Sequence, residues 1–236
     1  MKYKYIIGNC TDPYYNLAYE ESLFQFADEK STIIFLWQNE NTIVVGRNQD
    51  VNAECKADQF IQDKGKIARR KSGGGAVYHD LGNVCFSIIA HKCNVEICDY
   101  KFLVSKVLSL FGVEVGFNGR NDLTINGKKF SGNAIYSSGD ITCQHGTILI
   151  AADMDKMNYY LTPDIHKLER NGVKSVSSRV INLSEISNNI SVESFCSMFV
   201  KACDMDPLQD VLDEKVVNSK RNMYASEDWI FGGRMK

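Results

Sequence analysis

Three consecutive glycines, Gly73-Gly74-Gly75, interrupt a stretch from 67 to 91 that otherwise reads as strands. Glycine costs backbone entropy and offers no side chain to pack, so the run cannot be strand interior. It suits close backbone approach and a concave row of N–H groups, a shape that accepts an anion such as phosphate. Arg69 and Arg70 precede it and add fixed positive charge with bidentate oxygen binding. The same residues also fit a hairpin turn with a basic edge. Two other phosphate loops are excluded: there is no G-x-x-x-x-G-K-[ST], and no G-x-G-x-x-G between a strand and a helix.

The 236 residues, 44% hydrophobic, suffice for one large domain or two small ones. A net charge of −2 gives no case for nucleic acid, and the basic residues at 64–71 are a local cluster. No apolar run is long enough to span a membrane, and residues 1–8 read as a first strand and not as a signal peptide. A cytoplasmic location is the expectation. Eight cysteines include no C-x-x-C pair; Cys93 and Cys98 are C-x4-C, without a second pair to complete a zinc set. Reduced, mostly buried thiols are expected.

Residues 2–7 read as a strand, and Asp12-Pro13 opens a helix to about Phe26. Residues 31–38 and 42–47 read as paired strands, 52–64 as a helix, and 83–90 as a buried central strand. A helix is expected over 99–111, ending at Gly112. Strands follow at 113–117, 122–125, 128–135 and 142–151, then helices at 154–161 and 191–203. Residues 165–183 read as loop with a short helical piece, and the chain beyond 203 is weakly patterned until Trp229. Helices mixed with sequential hairpins predict an α+β fold: a mixed, mostly antiparallel sheet flanked by helices.

Asn126-Gly127 between apolar runs predicts a two-residue type I′ turn. Ile125 then faces Lys128, Thr124 faces Lys129, Leu123 faces Phe130 and Asp122 faces Ser131. Alternation puts Asp122, Thr124, Lys129 and Ser131 on one face, and Leu123, Ile125 and Phe130 on the other. The polar face is either a solvated surface with an ion pair of at most about 1 kcal/mol, or a site where the lysine holds a carboxylate or phosphate. One anionic ligand would suit both this hairpin and the glycine loop.

Four segments in series, RRKSGGGAVYHDLGN, NDLTINGKKFSGNA, QHGTILI and YYLTPDIHKLERNGVKSVSSRVINL, resemble the lipoate–protein ligase A family over about residues 12–185. The resemblance implies one catalytic domain over 1–236, similar in fold to the catalytic domain of biotin ligases. It implies a two-step reaction: lipoate and ATP give lipoyl-adenylate and pyrophosphate, and the acyl group then passes to a lysine. The acceptor would be an apo lipoyl domain of a 2-oxoacid dehydrogenase or the glycine-cleavage H protein, with lipoate or octanoate as the acyl source. By the same resemblance Lys129 is the catalytic lysine on the carboxyl and phosphate oxygens. Arg70, Ser72, Gly73, Gly74, Gly75, Ala76 and Val77 belong to the loop that closes on the adenylate. Asn83, Asn121 and Asp122 lie near phosphate and Mg2+, with Asp122 as the metal carboxylate. Ser131, Gly132 and Ala134 complete the binding set, with His79, His145, Ser175, Ser178 and Arg179 as further candidates.

Long members of the family carry another domain after a segment like SEDWIFGG, and this chain stops at Lys236. The expectation is that the accessory domain is absent or a separate subunit, which leaves transfer from preformed lipoyl-adenylate as an alternative to complete ligation. An octanoyl or lipoyl transferase using a Cys143 thioester is a second alternative, and a non-catalytic lipoyl-adenylate carrier a third. The G-R-G-R-x-G loop of biotin ligases is missing.

Overall fold

In the computed structural model, residues 2–95, 99–118, 122–162 and 179–232 are described. The strands are β1 (Lys2–Ile7), β2 (Ser31–Trp37), β3 (Thr42–Val45), β4 (Lys66–Arg69), β5 (Val77–His79), β6 (Asn83–His91), β7 (Gly116–Asn118), β8 (Asp122–Ile125), β9 (Lys128–Ser138), β10 (Ile141–Leu149) and β11 (Asp206–Pro207). The helices are α1 (Pro13–Ser22), α2 (Val51–Glu54), α3 (Ala57–Gln62), α4 (Tyr100–Ser109), α5 (Met154–Tyr160), α6 (Val192–Ala202), α7 (Glu214–Tyr224) and α8 (Glu227–Phe231).

Eight strands join in the order β11-β1-β2-β6-β10-β9-β8-β7, and a separate 3-stranded sheet runs β4-β3-β5. The β1–β2 pair is parallel and the β2–β6–β10–β9–β8 run antiparallel, so the sheet is mixed and the α+β class holds. β6 lies inside the large sheet because both of its faces are apolar: Val84, Phe86 and Ile88 point to one core, Cys85 and Ile89 to another. The first core is closed by α4 and α6 through Leu103, Val104, Val107, Phe195 and Phe199. Both helices are capped as their sequences suggest, by Asp99 on the Lys101 N–H and by Ser191 on the Ser194 N–H. The second core holds Leu17 and Ala18 of α1, Val44 and Ala68 of the small sheet, and Val217 and Tyr224 of α7. Burying each large side chain completely contributes roughly 1.5–3 kcal/mol.

Several expectations fail for tertiary reasons. β2 and β3 do not pair: β2 lies between β1 and β6, while β3 enters the small sheet. The intervening Asn39 is fully buried and held by Asn16 and His79, and Asn41 turns with φ 41. The helix expected over 52–64 is broken, because Cys55 is extended and bridges Leu161, with the Lys56 N–H on the Tyr160 carbonyl. The glycine loop is not a hairpin turn. β4 and β5 flank β3 on opposite sides, so the loop crosses the end of β3. α7 has no counterpart in the sequence reading, because its surface is largely polar and only Val217 and Tyr224 are buried. Residues 165–178 of the expected loop lie outside the described residues.

Candidate active site

The Lys129 hairpin begins as its turn dictates. Asn126 (φ 52) and Gly127 (φ 76) take the left-handed conformations of a type I′ turn, and Ile125 faces Lys128 as Thr124 faces Lys129. The register then shifts through a β-bulge: Leu123 pairs with Ser131 and Asp122 with Gly132, leaving Phe130 as the extra residue. This corrects the sequence expectation for Ser131. It lies opposite Leu123 and Ile148, both of the first core, and is buried away from Lys129 with its hydroxyl unpartnered. The bulge also lets Lys129, Gly132 and Ala134 share one face. In an unbroken strand Lys129 and Gly132, three apart, would point to opposite faces.

Two lateral rows cross the large sheet on that face. Trp37, Cys85, Thr147, Gly132 and Asp122 are successive partners over five strands. Phe35, Ser87, His145 and Ala134 form the next row. All of the first row, together with His145 and Ala134 of the second, line a cavity of about 270 Å³. Leu17, Val44, Val77, Gly74, Gly75, Ala76, His79 and Arg70 complete much of its wall.

The cavity has two chemically different ends. Leu17, Trp37, Val44 and Cys85 are each at most 5% exposed, making a buried apolar end. Lys129 Nζ lies 2.7 Å from Asp122 Oδ1, with their side chains 32% and 27% exposed, making a charged, partly exposed end. Gly132 leaves the path of that lysine clear, since a Cβ there would meet Nζ at 2.5 Å.

The glycine loop is held from beneath by its own arginine. Arg70 donates to the carbonyls of Val44, Gly73 and Gly75 and to Ser72 Oγ. Its burial lowers its pKa to about 10, so it remains charged near neutrality. The free bidentate anion fork expected of Arg70 is instead spent on loop carbonyls. The anion-binding element that survives is the backbone: among the described residues no protein acceptor meets the N–H groups of Gly73, Gly74 or Gly75. Gly46 packs directly against the loop, where a Cβ would fall 1.9 Å from the Gly74 carbonyl oxygen.

A buried polar chain ties the loop to the sheet. Ser72 Oγ accepts from Arg70 Nε and is hydrogen-bonded to His145 Nε2 at 2.5 Å. His145 Nδ1 then donates to Glu20, 2.8 Å away, which also receives the hydroxyls of Ser87 and Tyr136. Glu20, Cys143 and His145 come within 4.8 Å of one another, but Glu20 and His145 are already engaged in this chain. His79 is buried beside the cavity. Burial first, then the charge of Arg70 and the proximity of His145, lower its pKa to about 3, so it is neutral. Asn39, oriented by Asn16, donates to its Nδ1.

Cys143 is fully buried, does not line the cavity, and has its thiol pushed well above the usual range by burial. The geometry therefore removes it as an activated thiolate. Asn83 is fully buried and donates to Cys85 Sγ, off the cavity wall, and Gly73 and Arg179 also lie off it. Arg179 adjoins Val180, which bridges Lys129. Asn121, Ser175 and Ser178 lie outside the described residues. The sequence reading missed Leu17, Glu20, Trp37, Val44, Cys85, Asn133 and Thr147. Strand alternation assigns Trp37, Cys85 and Thr147 a common face only once the strand order is known.

Residues 12–204, which hold the glycine loop, the cavity and the Lys129 hairpin, match the lipoyl protein ligase A/B catalytic domain. The chain belongs to that family. It is 37% identical over 237 residues to a lipoate-protein ligase A of Blochmanniella floridana, covering 94% of this chain and 70% of the relative. Across three such relatives the chain spans 58 to 73% of their length. Among solved structures, P. falciparum LipL1 in complex with lipoate is 30% identical with TM-score 0.82, covering 99% of this chain and 75% of that one. A lipoate-protein ligase A bound with ATP shares the fold at 21% identity and TM-score 0.81, covering 99% of this chain and 100% of that one. No helix among the described residues is long and apolar enough to cross a membrane.

Proposed function

We propose that this chain joins lipoate to ATP and passes the lipoyl group to a lysine of an apo lipoyl domain or of a glycine-cleavage H protein. The observation that carries this reading is the two-ended cavity, with apolar walls at its buried end and the Lys129–Asp122 pair at its open end, under a loop of unpartnered N–H groups. An apolar chain ending in a carboxylate fits that polarity, with its ring among Leu17, Trp37 and Val44 and its carboxylate at Lys129. The family and the lipoate-bound relative support the same substrate.

In the first step the carboxylate oxygen forms a bond to the α-phosphorus of ATP as the bond to pyrophosphate breaks. Lys129 neutralises the two meeting anions, and the loop N–H groups receive charge on the phosphoryl oxygens. In the second step the neutral acceptor amine attacks the acyl carbon, AMP leaves with the electron pair of the broken acyl–oxygen bond, and the amine's proton passes to solvent. Asp122 is the one carboxylate lining the cavity among the described residues. That suits a magnesium ion that arrives on nucleotide phosphates and takes a single protein carboxylate, where it would supply further charge neutralisation.

The test is the intact mass of an apo lipoyl domain after incubation with this chain, lipoate and Mg-ATP, beside a reaction given synthetic lipoyl-adenylate. A lipoyl mass gain in both supports complete ligation. A gain only with the adenylate restricts the function to transfer and assigns activation to another polypeptide. No gain in either overturns the proposal.

A further inference from the structure

The three basic residues before the glycines divide into separate tasks. Arg70 turns under the loop. Lys71 reaches Glu21 at 2.8 Å, and Glu21 is shared with Lys220 and Tyr224 of α7. Arg69 points the other way, is 1% exposed, and meets backbone carbonyls from two distant segments. It donates to Gly46, Arg47 and Gln49 on one side. On the other it donates to Trp229 and Ile230 of α8, the closest contact being 2.6 Å from Nη2 to the Ile230 carbonyl. Trp229 returns a bond from its indole N–H to the Arg69 carbonyl at 2.9 Å.

The segment at 46–49 is also the seat of the glycine loop. Gly46 packs on Gly74, and the Arg47 N–H donates to the Ser72 carbonyl. A continuous set of contacts therefore runs from α8 through the Arg69 guanidinium and the 46–49 turn to the loop that roofs the cavity. A buried guanidinium satisfied only when both segments are in place strongly disfavours any state in which one of them departs.

We propose that Arg69 is a positioning residue that couples the C-terminal helix α8 to the glycine loop, so that displacing Trp229 and Ile230 loosens the loop over the cavity. The effect on transfer rests on the function proposed above; the structural coupling does not. Displacement of α8 then acts on adenylate binding without any residue of α8 touching the ligand.

The experiment compares wild type with Trp229→Phe, which keeps the ring and removes the indole donor, and with Arg69→Lys, which keeps the charge and loses the fork. Hydrogen exchange is followed at the Arg47 and Ala76 amides, which the seated loop protects, and at β6 amides paired with β10. Coupling predicts exchange at Arg47 and Ala76 faster by about tenfold in both variants, with β6 unchanged. It also predicts a KM for synthetic lipoyl-adenylate raised by a similar factor, with kcat within about twofold. Faster exchange confined to α8, with Arg47 and Ala76 unchanged, overturns the proposal. If Arg69→Lys does not fold, Trp229→Phe alone decides it. If the wild type shows no transfer, the function fails while the exchange result still decides the coupling.

Discussion

Acidification from about pH 7 to about pH 4.5 is expected to destabilise the wild-type chain more than a His79→Gln variant, by an amount set by the burial of one imidazole. His79 is 3% exposed, and its pKa falls from the ordinary 6.5 to about 3 through burial, then the Arg70 charge and His145. The unfolded chain thus takes up this proton first as the pH drops. The stability contributed by a neutral His79 is fully present above about pH 6.5 and is lost progressively toward the folded value. Each pH unit in that window is worth about 1.4 kcal/mol, so the two units from about 6.5 to about 4.5 amount to roughly 2.7 kcal/mol. Glutamine keeps an acceptor for the Asn39 amide and does not titrate, and acid-sensitive groups distant from His79 cancel between the two proteins. The assay is urea unfolding of both at the two pH values, read as a difference of differences. Equal losses, within about 0.5 kcal/mol, would mean that His79 is protonated or hydrated in the folded state and would refute the reasoning.

Lys129→Ala should lower kcat/KM for complete ligation by at least about a hundredfold, the scale of one lost electrostatic group. Its thermal midpoint should move little, because the partly exposed pair with Asp122 contributes at most about 1 kcal/mol; near-normal turnover would remove Lys129 from its assigned role. Gly46→Ala and Gly132→Ala should separate folding from function. The first forces a Cβ to 1.9 Å from a backbone oxygen, and chemical denaturation should show a loss of roughly 1–3 kcal/mol or more. The second meets only the tip of Lys129 at 2.5 Å, so stability should hold while steady-state turnover falls by about tenfold; unchanged turnover would show that the lysine needs no such clearance. Cys143→Ser should keep activity within about twofold, and a loss with the fold intact would revive a thioester route.

Residues acting within a few positions of each other determined much of the chain: the Asn126-Gly127 turn, the Asp99 and Ser191 caps, the twice-apolar β6, and the glycine loop between two strands. Turn conformation, capping and alternation are short-range properties, so they are legible without a fold. The motifs also singled out Lys129 and Asp122, which the structure pairs at the charged end of the candidate cavity. The tertiary structure alone decided which strands are neighbours, and so which side chains share a wall. Trp37, Cys85, Thr147, Gly132 and Asp122 come from five strands and align only through the β2–β6–β10–β9–β8 register. The bulge at Phe130 turned Ser131 into the core, where the isolated hairpin had placed it beside Lys129. Arg69 and Arg70 look alike in the sequence, yet one holds α8 and the other the loop, because their carbonyl partners lie up to 161 residues away. Glu20, the buried anchor of His145, carries no local signal at all. Such partners are selected by which apolar faces bury together, a balance struck over the whole chain and readable only after the chain has closed.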